Sequence, residues 1–281
     1  MRYIILLILT IYISFEITAQ NVGQTGDSIL NYTDINGMKQ GRWITKYKNG
    51  KTKYDGYFVN NNPVGKFTRY LETGNLQSIA YFYDNSKSSS IKFYDAANNV
   101  IATGRYHNQK KDSIWNYFIQ PEGKLMSVEE YNNGVLNGTS KTFYYPAGTL
   151  HEIINFKDGL RDGIYQKFWS DGKTPKLKMR YCAGIVCDTM FVYYESGKIQ
   201  WVTPYKDDKR HGIEIQYNEK GERITVIPYK DGICLDPERA KQETREINKL
   251  QENKGRFLEP YQFDDPLDFL RKNQERDQTR Y

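Results

Sequence analysis

The sequence predicts a mostly β protein: an elongated, twisted antiparallel meander of about eight tandem β-hairpin repeats, followed by a C-terminal helical tail. Three observations carry this. A unit of 23–25 residues recurs along the chain, and a period in that range marks a repeat architecture. Within each unit apolar and polar residues alternate, and glycine-bearing turns punctuate them, which is the pattern of paired strands. The apolar residues are unusually aromatic, with Tyr 24, Phe 13 and Trp 4 among 281 residues, while mean hydropathy is only −0.76. Tyrosine suits a half-buried pleated surface, because its ring packs while its hydroxyl stays wet.

The chain opens with a leader. Met1-Arg2 gives a positive start, Tyr3 to Phe15 is apolar, and Ile17-Thr18-Ala19 forms a small-residue cleavage site before Gln20, the layout of a secretory signal peptide. The apolar stretch falls short of the roughly 20 residues that span a bilayer. No cysteine follows it, so a lipoprotein box is missing. Residues 1–19 therefore predict export to the periplasm, the cell surface or the medium, with membrane contact only through the uncleaved leader. Residues 20–36 read as a linker.

The repeat array spans 37–235. Its units open at Gly41, Gly65, Ser90, Ser113, Gly138, Gly163, Asp188 and Gly212. The first half of each unit is rich in aromatics and β-formers and ends in a turn such as Lys48-Asn49-Gly50 or Glu195-Ser196-Gly197. The second half alternates, as in Ile199-Trp201-Thr203-Tyr205, and closes on an aromatic and a second turn such as Phe156-Lys157-Asp158-Gly159. Short links between strands make neighbours antiparallel. A lone hairpin is marginal in water, so each unit leans on the next. The third unit, with Ala96-Ala97-Asn98-Asn99 as its turn and the polar run Ser86 to Ser90 before it, is expected to be an irregular join. Pro204 and Pro228 stand just before the closing tyrosines, which implies a bulge or a sheet edge there.

A formal charge of +6 comes from 40 basic and 34 acidic side chains that are interleaved rather than run together. That excludes the clustered basic face of a nucleic-acid binder. Of three cysteines, Cys182 and Cys187 flank a four-residue turn and are a candidate disulfide, with Cys234 left over. Export places them where such bonds persist. His107, His151 and His211 have no partners at metal-ligand spacing. The adjacent carboxylates Glu129-Glu130 and Asp207-Asp208 point to opposite faces of a strand. No nucleophile elbow, phosphate loop or dinucleotide fingerprint occurs. The expectation is a protein without catalytic, cofactor or metal residues.

Glycine, an aromatic two or more residues on, a turn glycine and then Tyr-x-Asn/Asp-Gly resembles the bacterial MORN-repeat variant family, over about residues 37–235. Fragments of the tighter family core stand at Gly41-Arg42-Trp43 and His211-Gly212. The resemblance implies an elongated hairpin sheet acting as a scaffold or interaction module. Some bacterial members are labelled as antitoxins of toxin–antitoxin pairs, which implies a cytoplasmic role at odds with the leader.

The tail, 236–281, begins with Asp236-Pro237-Glu238, an N-cap, a first-position proline and an acidic first turn. Ala240, Ile247 and Leu250 make a narrow apolar stripe, Phe257, Leu258, Tyr261 and Phe263 form an aromatic link, and Asp265-Pro266 can start a second helix. The tail either caps the last hairpin or the apolar face, or serves as a detachable partner-binding element. The leading functional expectation is an exported, non-enzymatic scaffold for protein–protein interaction, with Trp43, Trp115, Trp169 and Trp201 as candidate anchors. The alternative is an envelope-glycan or envelope-polymer binder that stacks sugars on its aromatic face. An antitoxin-like protein and a glycan-cleaving enzyme rank below both.

Overall fold

The computed structural model describes residues 29–252, with side chains as far as Asn248. The expected leader at 1–19, the expected linker up to residue 28, and the expected aromatic link and second helix of the tail lie outside the described residues. The described chain consists of eight antiparallel hairpins and one helix, and it divides into two compact units between Ser86 and Lys87. The first unit holds the hairpins Lys39–Lys46/Thr52–Val59 and Asn62–Tyr70/Leu76–Tyr83. The second holds Ser88–Tyr94/Val100–His107, Lys110–Ile119/Lys124–Asn132, Gly138–Phe143/Leu150–Lys157, Leu160–Phe168/Pro175–Cys182, Met190–Tyr193/Ile199–Thr203 and Gly212–Tyr217/Arg223–Lys230, then the helix Pro237–Glu252. Within each unit every strand pairs antiparallel with the next, so each is a meander.

One register shift marks every hairpin at the same place, just before the far turn: 45/46, 69/70, 93/94, 117/118, 142/143, 167/168, 192/193 and 216/217. A bulge there sharpens the local twist on entry to the turn. Counting back four residues from each shift puts the third opening at Ser89 rather than Ser90, which makes the first three intervals all 24 residues. The third hairpin is thus regular within itself, while the expected join falls at its start, where the two units divide between Ser86 and Lys87 after three successive positive-φ residues, Asp84, Asn85 and Ser86. The turn of this hairpin lacks the glycine that takes φ 84° at Gly50, but Asn98 adopts φ 64° in its place, and asparagine tolerates that left-handed region. The Asp95 carboxylate accepts hydrogen bonds from the Ala97 and Asn99 amides at 2.9 and 2.8 Å, holding the turn closed.

Successive hairpins are tied at both ends. At the return turns, an amide donates to the carbonyl of the previous return turn: Asn61 to Lys39, Asn108 to Lys87, Gly134 to Lys111, Gly159 to Leu136, Gly184 to Arg161, Asp208 to Val186 and Gly232 to Arg210, over 2.6–3.1 Å. At the far turns a ring does the same work. The hydroxyls of Tyr47, Tyr144 and Tyr194 donate to the carbonyls of Tyr70, Phe168 and Tyr217 at 2.7–2.8 Å.

The two prolines stand where a bulge or sheet edge is expected, Pro204 at a break between strands and Pro228 on the last hairpin strand of the sheet. Pro228 lies inside the strand Arg223–Lys230, opposite Ile213, and Pro204 separates Ile199–Thr203 from Tyr205–Lys206. Their carbonyls accept from Leu235 and His211, as those of Arg180 and Glu130 accept from Cys187 and Asn137. At this repeat position only the acceptor is used in that link, so the missing N–H costs nothing there.

Candidate interaction surfaces

Alternation along each strand separates two faces. One is lined by rings. In the first unit Trp43, Tyr54, Phe58, Phe67 and Phe82 pack edge-to-face or stacked, with centroids 5.2–6.4 Å apart. Phe67 lies flat over Gly56, where a Cβ would come within 2.2 Å of the ring. In the second unit Trp115 lies over Gly104 with the same 2.2 Å approach, and Phe93, Tyr106 and Tyr117 surround it. The pairing of a missing side chain with an oversized one fills a single-layer face without strain. Cations from the return turns roof this face. Lys111 stands 5.2 Å over Tyr131, Arg161 lies 5.3 Å over Tyr181, and Arg210 is 4.0 Å over Tyr229, an arrangement attractive to the ring quadrupole.

The four tryptophans proposed as anchors have structural duties. Trp115 is 1% exposed and sits at the centre of the core cluster with Ala102 and Tyr117; its indole N–H donates to the Arg105 carbonyl. It cannot touch a partner, which corrects that part of the expectation. Trp43 donates to the carbonyls of Tyr32 and Gln40, holding down the N-terminal strand. Trp169 donates to Tyr193 at 3.2 Å, joining two far turns, and Lys176 covers it at 4.4 Å. Trp201 is half-buried between Val192 and Gln216. Sequence position alone could not separate anchor from brace, because both want a large ring on alternate strand residues.

At the last hairpin the ring face turns polar. Glu214, 6% exposed, accepts from the Thr203 hydroxyl at 2.8 Å and lies 3.8 Å from Arg210. Arg210 in turn makes a two-pronged contact to Glu243 of the helix at 2.8 and 3.0 Å, and the Tyr229 hydroxyl also donates to Glu243. Burial alone would raise the Glu243 carboxyl, but the bonds from Tyr229 and Arg210 and the charges of Arg210 and Arg239 hold it below its ordinary value. Burial foremost, with the bond to Glu243 next, pushes the Tyr229 hydroxyl far up. The helix begins as the sequence predicts. Asp236 accepts from the Glu238 and Arg239 amides at 3.0 Å, the geometry of an N-cap. Glu243 bonds the helix to the sheet; of the apolar stripe, Ala240 is half-buried, Ile247 stays half exposed and Leu250 lies beyond the described side chains.

The opposite face is the open one. In the first unit Tyr57 and Tyr81, which share one repeat position, are 47% and 52% exposed, and Val59 and Tyr83 beside them are similarly bare. The same position in later hairpins is Arg105, Glu130, Asn155, Arg180, Pro204 and Pro228, so the ring row is two members long. In the second unit a row Phe191, Val202, Ile215, Val226 runs across four strands in register and ends in exposed Val226, Ile224 and Ile213.

Cys182 and Cys187 are joined across their turn with Cα atoms 5.7 Å apart, and Cys234 is free. That separation lies within the usual disulfide range. Each histidine pairs across a ladder or turn: His107 Nδ1 lies 2.9 Å from Ser88 Oγ, His151 Nδ1 3.1 Å from Thr142 Oγ1, and His211 Nδ1 3.1 Å from Asp231 Oδ1.

With this geometry in place, comparison with known proteins gives one family. The model for the MORN repeat variant matches residues 63–85 and 137–158, and each match spans one hairpin, the second and the fifth. A search of curated proteins finds no match. Among solved structures, the crystal structure of TarM is 15% identical with a TM-score of 0.26, covering 34% of this chain and 20% of that one. An S. aureus TarM mutant in complex with Fondaparinux, alpha-GlcNAc-glycerol and UDP is 12% identical with a TM-score of 0.27, covering 35% and 19%. The structure of TcdB2-TccC3-Cdc42 is 12% identical with a TM-score of 0.15, covering 69% and 13%. The chain thus spans a fifth or less of the length of these proteins.

Proposed function

We propose, for a chain that belongs to the MORN-repeat variant family, that it is an exported scaffold which holds a protein partner on the open face of its hairpins. The observation that carries this reading is the exposed group Tyr57, Val59, Tyr81 and Tyr83. Tyrosine is enriched at interfaces because one rigid side chain supplies apolar area and a hydroxyl together. The ring face is consumed by its own packing, so the open face is the surface with apolar area to offer. The leader and the Cys182–Cys187 bridge support export, since such bonds persist outside the reducing cytoplasm.

Two measurements test it. Expression from the native leader should yield a chain beginning at Gln20 in the periplasmic or extracellular fraction, with Cys182 and Cys187 oxidised; an intact leader in the cytoplasm would end the export reading. Photo-crosslinking from position 66, amid the tyrosines, should give one dominant adduct in envelope or culture fractions that a Y57S/Y81S double variant loses. Adducts unaffected by the double variant would end the docking reading. The glycan alternative asks for rings aligned across many hairpins, and the row stops after Tyr81.

A further inference from the structure

Charges that are interleaved along the chain become sorted by face once the strands pair. In the second unit one row of directly opposed residues runs from Lys92 through Lys141 and Lys178 to Phe191, and on to Val226. Opposed residues share a face. Asn116 stands in this row next to Trp115 of the ring face, so the row lies on the open side. It holds three lysines and no carboxylate. Arg105 and Arg180 stand two residues from row members Thr103 and Lys178 in regular ladders, and so share that side. All five cations are exposed. Among the described residues none of them is in an ion pair.

The strand carboxylates of the same unit are engaged. Glu129 and Glu152 accept from the hydroxyls of Tyr131 and Tyr165 on the ring face, and Glu214 is sealed there. Asp112, opposite Arg105, and Asp162 accept from amides of the next return turn, those of Asn133 and Ala183. Glu130 shares the open side, but it is half-buried over the bare Cα of Gly138. The open side of this unit is therefore positive.

What fits it follows from the sheet itself. The ladder consumes the backbone groups, so a partner has to arrive with its own backbone already satisfied. A helix does so, and helices are a regular cover for the free face of a sheet. Ile164 opposite Arg180 and Phe191 opposite Lys178 offer it apolar area beside the cations. Lys141 and Lys178 are three strands apart, about 14 Å, which matches carboxylates about ten residues apart along a helix.

We propose that the open face of the second unit docks an acidic amphipathic helix of a partner protein. Its carboxylates meet Lys141, Lys178 and Arg180, and its apolar stripe meets Ile164 and Phe191. This contact lies on the other unit from Tyr57 and Tyr81, and it depends neither on them nor on export.

A helical peptide about 20 residues long, with a glutamate stripe beside a leucine stripe, probes this on the full chain. Acetylation of single lysines, read by mass spectrometry, gives its footprint. In the free chain Lys141 and Lys178 should react as fast as Lys173 and Lys220 of the exposed far turns. With the peptide at about ten times its Kd, Lys141 and Lys178 should slow about 10-fold while the other two hold. K141E/K178E/R180E should cut the association rate at least about 10-fold. The equally charged K48E/K173E/K220E should leave it near wild type, as should Y57S/Y81S.

Four results would overturn the proposal. One is no footprint at millimolar peptide. Another is equal loss in both triple variants, the mark of net charge alone. A third is slow acetylation of Lys141 and Lys178 in the free chain, which would mean that the chain covers this face itself. The last is the same footprint from a peptide with glutamine for glutamate, or from duplex DNA, which would assign the face to other ligands.

Discussion

Trp115 and Glu214 stand at the same place in their hairpins, two residues after the opening position, and both are nearly sealed from solvent. Around Trp115 the solution is apolar and self-contained: a ring over Gly104, three aromatic neighbours, and Lys111 5.0 Å above. Around Glu214 it is polar and borrowed, because the carboxylate relies on Thr203 and Arg210, and Arg210 is shared with Glu243 from outside the repeats. The repeat thus demands that this position be filled and covered, and leaves the chemistry free. An apolar filling ends within the hairpin pair, whereas a charged one must recruit partners until its charge is answered. The helix is the last of those partners.

The contrast can be broken from either side. Trp115→Ala should be the most damaging change, costing about 3–5 kcal/mol as a large core truncation, read by denaturant unfolding. A loss under 1 kcal/mol would mean that the ring is not the keystone of its cluster. Arg210→Ala should cost about 3 kcal/mol, because it leaves buried Glu214 and half-buried Glu243 unanswered; it should also free the helix, seen as faster amide exchange over 237–246. Gly104→Ala places a methyl 2.2 Å from the Trp115 ring and should cost about 2 kcal/mol by overpacking, relieved when combined with Trp115→Leu.

The smallest effect is a pH dependence confined to the polar end. Glu243 is held below its ordinary value in the folded chain, so its contribution is complete above the ordinary glutamate range near about 4.3 and is lost as pH falls through the lowered folded value. Acid should loosen the helix from Tyr229 before it disturbs Trp115. Glu243→Gln should remove that step at a cost of about 1 kcal/mol at neutral pH, as followed by amide exchange against pH. A step unchanged in Glu243→Gln would place the titrating group elsewhere.

Much of the fold was legible in the sequence because it depends on local rules. Alternation gives strands, turn glycines give hairpins, and Asp236-Pro237 gives the start of the helix. What escaped depends on equivalence or on distance. Asn98 looked like a defect because a composition rule counts glycines, whereas the turn requires only a residue that tolerates positive φ. Trp115 looked like an anchor because aromatic residues serve cores and interfaces alike; only the bare Cα of Gly104 eleven residues earlier marks it as core. The cluster of Arg210, Glu214 and Glu243 was out of reach, since nothing in a separation of 33 residues says that a helix will fold back over Tyr229.

The links between return turns run from amide to carbonyl, with Asn and Asp side chains of the turns themselves adding bonds such as Lys39 to Asn61 and Val186 to Asp208. Neighbouring hairpins therefore join through groups in the turns rather than through what each displays on its open face. Gene segments encoding one hairpin could be duplicated, lost or exchanged and still find their bonds waiting, so the length of such a protein is inherited in steps of 24 or 25 residues, while each hairpin's outward chemistry evolves on its own.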